Sequence, residues 1–381
     1  MLMRWPKLQT TMKNKLNLVF FTDLEHSSPR IPNLISHLNK DFFNIFIIGA
    51  DYTDHLTKND FPENFLQSVN FQLFKRKINL FNFLKKNIEG SKSHESKIKS
   101  SAAYLSLRSI FIKILLSFSF PDQYFLTINK YIRKFNELNL KNEVVIISSS
   151  PYVSTHFAAY KIKAKLKSKI TWYADYRDLW SLNHNYSFSK LRLLIDKIIE
   201  KKIMKHPDYI TTTTKTWVER QSIFLKRRVE FLPNGYSSFD NLKLKKQNKF
   251  NDKDITRVLY VGAMSFGFQD FNLLFDSLKD VKNPNFEIHF IGRYSFQLQY
   301  LINKFNLTKT FRQLGLVSRE KSKLMQKNYD FLLLVDSKKQ TGEILLKFYE
   351  YIGANRPIIC IGGNEKTEHQ KILKKLNRGN I

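Results

Sequence analysis

Gly342-Glu343-Ile344-Leu345-Leu346-Lys347-Phe348-Tyr349-Glu350-Tyr351-Ile352-Gly353-Ala354-Asn355-Arg356-Pro357-Ile358-Ile359 reads as a loop, a helix, a turn and a buried strand. Glu343, Lys347 and Glu350 are spaced i, i+4, i+7 and so predict one charged helical stripe. Leu345, Phe348 and Ile352 make another stripe that packs inward. A cation between two carboxylates at the mouth of an α/β sheet suits a ligand with both phosphate and sugar hydroxyls. Lysine meets phosphate as a point charge, and a carboxylate accepts hydrogen bonds from neighbouring hydroxyls. The plainer reading, a solvated face with an i,i+4 ion pair, stays open on spacing alone.

Upstream of this stretch, short apolar runs alternate with helical patterns. Arg257–Gly262, Phe286–Gly292, Phe311–Val317, Tyr329–Val335 and Arg356–Ile361 read as strands of one domain. Leu16–Thr22, Phe43–Gly49, Val69–Phe74, Val144–Ser150, Ile170–Ala174, Tyr209–Thr213 and Val229–Leu232 make an earlier series. Continuous apolar strands between helices indicate parallel sheets covered on both faces. The fold class is therefore α/β, with two Rossmann-like domains facing a central cleft. Residues 1–236 form the first, the polar, lysine-rich stretch 237–256 links them, and 257–381 form the second. About 20 residues follow the strand at Pro357, so the second domain reads as incomplete. Residues 75–104 read as a variable insertion.

The formal net charge of +30 favours anionic partners. The basic residues are mostly lysine and scattered, with no zinc finger, RNP motif or basic zipper. An anionic membrane surface fits this distribution, and nucleic acid is not expected as a partner. Leu105–Phe120, apolar with Arg108 and Lys113 embedded, reads either as an interfacial helix or as one packed on the domain. No run is long enough to span a bilayer and no signal peptide is evident, which points to a cytoplasmic, membrane-peripheral protein. The single cysteine, Cys360, lies in an apolar run and reads as a buried thiol in a reducing compartment. The histidines show no zinc-like clustering with cysteine or carboxylates.

Four segments have the chemistry of a site. Ser148-Ser149-Ser150-Pro151 ends a strand with small hydroxyl side chains, and His156 follows on the next helix; a plain N-cap turn would look the same. Asp175-Tyr176-Arg177-Asp178 closes the next strand beside Trp180; its carboxylates can orient hydroxyls or work as acid and base, while Arg177 clamps an anion or simply pairs with them. The first strand–helix connection carries no glycine, so a phosphate cradle is not expected there, though Arg30 remains an anion contact. Gly262-Ala263-Met264-Ser265-Phe266-Gly267 allows close backbone approach without basic side chains, leaving Arg293 after the next strand to supply charge.

Taken in order, Phe120-Pro121-Asp122, IISSSPYVSTH, ADYRDLW, VEFLPNGY, LYVGAMS and LKFYEYIGANRPII resemble glycosyltransferase family 4 of the GT-B fold, of the bacterial cell-surface polysaccharide type. The resemblance covers most of the chain. It implies a nucleotide-sugar donor held mainly by the second domain and a glycan or lipid-linked acceptor held mainly by the first. It implies sugar transfer with retention and without a bound metal or other cofactor. Glu350 matches the family's ribose-binding glutamate and Lys347 stands where a basic residue meets the diphosphate, with Arg293, Gly262 and Glu343 beside them. On the acceptor side it points to Asp178, Asp175 and His156 as catalytic candidates and to Arg177, Ser149, Ser150 and Arg30 as substrate contacts. The sequence departs from the pattern at four places: Gly342 stands eight before Glu350 where the paired glutamate is usual, Leu179 replaces a proline, and two loops lack the family's glycines or its basic pair. Those departures keep two other readings open, a catalytically lapsed GT-B binding protein and a nucleotide-sugar epimerase.

Overall fold

The computed structural model describes residues 15–22, 30–51, 69–75, 120–122, 124–186, 188–236, 255–264, 266, 268–279, 281, 285–337, 342–363 and 367–379. Most of the Leu105–Phe120 segment, all but the first residue of the insertion at 75–104, most of the linker and most of the 22–30 connection lie outside them. Two compact units are present, Met1–Thr213 with Trp217–Leu232, and Thr214–Thr216 with Pro233–Ile381.

The first unit is built on β1 (Leu16–Phe21), β2 (Phe43–Asp51), β3 (Val69–Lys75), β4 (Val144–Ser149), β5 (Ile170–Tyr176), β6 (Tyr209–Thr212) and β7 (Glu230–Phe231). They form a seven-stranded sheet of order β3-β2-β1-β4-β5-β6-β7, parallel throughout. β1 and β4 are buried at every position, as their unbroken apolar runs require of central strands covered on both faces. Among the described residues, helices Arg30–Ser36, Ile128–Glu137, Val153–Leu166 and Lys190–Ile203 supply that cover. One core gathers Val19, Phe21, Ile146, Trp172 and Tyr131; the opposite face gathers Leu18, Phe20, Ile45, Ile47 and Ile35.

The second unit holds β8 (Thr256–Val261), β9 (Phe286–Ile291), β10 (Phe311–Gly315), β11 (Phe331–Val335) and β12 (Ile358–Ile361) in the parallel order β10-β9-β8-β11-β12. Helices Phe271–Leu278, Phe296–Lys304, Arg319–Asn328, Leu346–Ala354 and Glu368–Leu376 accompany it. Phe348, Tyr351, Leu332 and Leu373 pack on one face; Tyr260, Phe275, Phe290 and Leu333 pack on the other. Cys360 is buried within β12, and burial pushes its thiol up to about 12. The expected fold, α/β with two Rossmann-like parallel sheets, is the one observed.

Two local readings change. The helix after Gly342 opens at Leu346, with Leu345 extended as its N-cap (φ −60°, ψ 140°). Glu343 therefore lies in the non-helical segment before it, and the three-residue charged stripe reduces to Lys347 and Glu350. β5 runs on to Tyr176, so Asp175 is a strand residue instead of the first residue of a loop. There it is paired with Ser149 of β4 on one side and Thr211 of β6 on the other.

Candidate functional site

In the second unit the strand order reverses between β8 and β11, and ligands of open α/β sheets bind at the carboxyl ends of strands at such a point. The β8–β11 ladder is short, with register pairs Phe331↔Val258 and Leu332↔Leu259 only. Beyond it the strands part and the Tyr351 hydroxyl enters the gap. It accepts from the Val261 amide (2.9 Å) and donates to the Leu333 carbonyl (3.2 Å), satisfying backbone groups that no neighbouring strand reaches. This pins the Leu346–Ala354 helix over the switch point. Lys347 is one turn before Tyr351 and Glu350 adjoins it, so both are carried to the strand ends.

The Lys347 ammonium donates to the Tyr260 hydroxyl (2.6 Å) and sits 3.9 Å from the centre of that ring. It also lies against Gly262, where an added Cβ would stand 3.8 Å from Nζ and the φ of +98° favours glycine. At the neighbouring strand end a Cβ on Gly292 would come within 2.6 Å of the Gly262 carbonyl oxygen. The glycines let these two turns close on each other and leave backbone exposed for a ligand. Burial draws the Lys347 ammonium down to about 7, against the opposing pull of Glu350.

Glu350 is ion-paired with Arg319 at 3.5 Å, both side chains about one-fifth exposed at 19% and 22%. Lys323 stands one turn along the same helix; burial first, then Arg319, lowers its pKa, while Glu350 raises it. Arg319 and Lys323 were not among the residues expected from sequence. They sit in VSREKSK, which has no motif character, and only the packing of the Arg319–Asn328 helix beside the Leu346–Ala354 helix brings them to Glu350. Arg293 is exposed after Gly292, and Glu343 is half-buried ahead of the helix.

The first unit gathers its charges differently. Asp175 receives Arg30 in a two-pronged pair, Nε to Oδ2 at 3.1 Å and Nη2 to Oδ1 at 2.7 Å. Ser149 (2.9 Å) and Thr211 (2.8 Å) donate to the same carboxylate, and Arg30 also donates to the Leu232 carbonyl (2.9 Å). Asp175 and Arg30 are only 2% and 5% exposed. Burial pushes the Asp175 carboxyl up, but Arg30 and the hydroxyl donors outweigh it and hold the group below its ordinary value. The cluster ties the Arg30–Ser36 helix to β4, β5, β6 and the residue after β7. Arg30, Asp175 and Ser149 are thus bonded within the protein, to one another, to Thr211 and to the Leu232 carbonyl.

Ser150 and Asp178 are joined through the backbone: Ser150 Oγ donates to the Asp178 carbonyl (2.8 Å) and accepts from its amide (3.0 Å). That leaves the Asp178 carboxylate 35% exposed beside Arg177 at 3.3 Å. His184, not singled out by sequence, is close by; burial lowers its pKa first, Asp178 opposing and Arg220 assisting. His156 is fully buried. Trp172 donates to Ser148 Oγ (2.8 Å), which shares a second hydrogen bond with His156 Nδ1 (2.7 Å), while His156 Nε2 is buried with no hydrogen-bond partner among the described residues. Burial brings its pKa down to about 4, Asp175 opposing, so the ring is neutral at pH 7. The structure brings Asp178 and Arg177 together at an accessible strand end and places His156 in the core, its ring 5.2 Å from that of Tyr176.

No family model and no curated protein matches the sequence. Solved structures do match in shape. Sucrose-phosphate synthase from Thermosynechococcus elongatus is 12% identical with a TM-score of 0.53, over 95% of this chain and 90% of that one. The chain has the GT-B fold. A glycosyltransferase from Rickettsia africae is 11% identical with a TM-score of 0.51, over 96% of this chain and 88% of that one. The HepE protein of Anabaena, solved in complex with UDP and glucose, is 11% identical with a TM-score of 0.50, over 95% and 89%. At such identities the likeness speaks for the GT-B architecture and leaves the chemistry to the residues.

Proposed function

We propose that this protein transfers a sugar from a nucleoside-diphosphate sugar to a glycan or lipid-linked acceptor, with family 4-like, retaining chemistry in cell-surface polysaccharide synthesis. The observation that carries the reading is the placement of Lys347 against Gly262 at the switch point, with Glu350 one turn further along the same helix. A cation beside exposed backbone is suited to the diphosphate, and a carboxylate with one side engaged by Arg319 keeps acceptor capacity for two ribose hydroxyls. That the Rickettsia africae neighbour is a glycosyltransferase, and that HepE was solved with UDP and glucose, fits the same reading.

In this reading Lys347 takes the charge that grows on the departing diphosphate, aided by the amino end of its helix, and no metal is required for that part. Protonated Lys347 is the competent form, and the ligand's negative charge stabilises it. Asp178 and Arg177 face the acceptor, where the carboxylate orients an incoming hydroxyl. Asp175, Arg30 and Ser149 set the position of that loop from below. The +30 charge supports an anionic membrane surface as the working location. Among the described residues no helix is long and apolar enough to cross a membrane.

Isothermal titration of the full-length protein with nucleoside diphosphates and nucleotide sugars tests the donor assignment. Binding by the parent that weakens in Lys347→Met with the fold intact is expected; no binding of the parent to any of them sinks the reading. Incubation with the bound nucleotide sugar alone separates transfer from epimerisation, because an epimerase needs no acceptor.

A further inference from the structure

The Lys190–Ile203 helix faces the wrong way for an ordinary surface helix. Its buried residues are Arg192, Asp196, Glu200 and Ile203, so its charged stripe points into the protein. Its aliphatic stripe points out: Leu191 is 69% exposed, Leu194 56%, Ile195 40% and Ile198 60%. Spaced i, i+3, i+4, i+7, these four make one continuous face.

The inversion is fixed by polar bonds. Arg192 Nε donates to Asp196 (2.9 Å) and its Nη2 donates to the Pro121 carbonyl (2.8 Å), with the guanidinium over the Phe120 ring at 4.8 Å. Tyr186 donates to the other Asp196 oxygen (2.6 Å). Glu200 receives the Tyr176 hydroxyl (2.9 Å), the Ser181 amide (3.0 Å) and Gln221 (2.8 Å). Turning the helix over would strand every one of these buried groups, so the aliphatic face is held outward.

Charge decides what meets it. Both acidic residues of this helix, Asp196 and Glu200, are within 1% of complete burial. The outward surface is left with aliphatics and lysines, Lys190, Lys201 and Lys202 exposed and Lys197 partly so. Two copies meeting through this face would bring lysines against lysines. An anionic bilayer satisfies both parts, taking the aliphatics at the acyl boundary and the ammonium groups at the phosphates.

We propose that the outward face of the Lys190–Ile203 helix is a docking surface for anionic lipid. It lies flat at the headgroup level. Through Glu200, its partners Tyr176 and Ser181 flank the Arg177–Asp178 loop, so docking sets that loop next to the bilayer, where a lipid-linked acceptor presents its head. The proposal rests on the membrane part of the reading above and not on its donor chemistry.

Flotation of the full-length protein with vesicles tests it. Vesicles of phosphatidylcholine with phosphatidylglycerol are expected to carry the protein, and pure phosphatidylcholine to carry much less. The double variant Leu194→Gln with Ile198→Gln changes only exposed side chains and is expected to lose about tenfold or more in vesicle affinity. Lys190→Glu with Lys197→Glu is expected to lose affinity only for the anionic vesicles. Circular dichroism and nucleotide titration of both variants should match the parent, which keeps a failure of docking apart from a failure of donor binding. Unchanged flotation in both variants overturns the proposal. So does a parent dimer in sedimentation velocity that the glutamine pair converts to monomer while vesicles bind neither, since the face would then join two copies of the chain.

Discussion

The carboxyl ends of the two sheets carry similar residue types and use them in opposite ways. At the first, Arg30 and Asp175 are nearly inaccessible, and Ser149 and Thr211 complete the carboxylate's bonding. At the second, Glu350 keeps a 3.5 Å ion pair at one-fifth exposure, and the Lys347 ammonium rests on a tyrosine ring. A charge with all its partners built in holds a fold together. A carboxylate with a single, partly exposed ion-pair partner, or an ammonium whose burial draws it down towards neutrality, has bonding capacity for a ligand.

The sharpest way to break that contrast is Asp175→Asn. It leaves Arg30 buried without its counter-charge and should cost about 3–5 kcal/mol in urea unfolding. A loss of activity with stability unchanged would move Asp175 from the scaffold to the chemistry. Next in size is acid sensitivity. His156 has a folded pKa of about 4 against 6.5 for the free group. Between these values the unfolded chain binds a proton that the folded one refuses. Stability should therefore fall by about 3 kcal/mol as pH drops from 6.5 to 4 and then level off as far as this group is concerned. Unfolding of His156→Gln across that range should show a flatter profile than the parent's.

The second sheet should answer in binding before stability. Lys347→Met is expected to weaken nucleoside diphosphate binding about 10- to 100-fold by calorimetry, the worth of a charge-assisted hydrogen bond. Because the Lys347 ammonium lies at about 7 and an anionic ligand binds the protonated form, affinity should fall as pH rises from 6 to 9. The methionine variant should lose that slope. The stability sign is the reverse: from about 7 up to the unfolded lysine's value the unfolded chain holds the extra proton, so this group's contribution improves as pH rises. Arg319→Ala is the smallest test, about a two- to fivefold loss in nucleotide affinity, since it acts by aiming Glu350 through a partly exposed pair.

Much of the frame could be read from the chain. Runs such as VVIISS and FLLLV, short, apolar and alternating with helical patterns, announce parallel strands covered on both faces. Lys347, Glu350, Arg177 and Asp178 were legible because strand and helix boundaries place them by local rules. Asp175's partnership with Arg30 was not, since 145 residues separate them and only the sheet order joins them. Arg319 and Lys323 escaped for a similar reason: their spacing says only that they share a helix face, and packing alone decides which neighbour they meet. The Lys190–Ile203 helix is the most instructive case. Its periodicity is plain in sequence, yet periodicity does not say which face turns inward. Partners supplied by Pro121, Tyr176, Tyr186, Ser181 and Gln221 reversed the usual choice.

The Tyr351 hydroxyl between Val261 and Leu333 turns one backbone amide into a reporter. Val261 donates towards a side where no strand accepts it, so its hydrogen exchange is governed by the seat of a single helix. Slow exchange at that amide signals that the Leu346–Ala354 helix is docked. Faster exchange would record its departure, residue by residue, before any loss of the sheet itself.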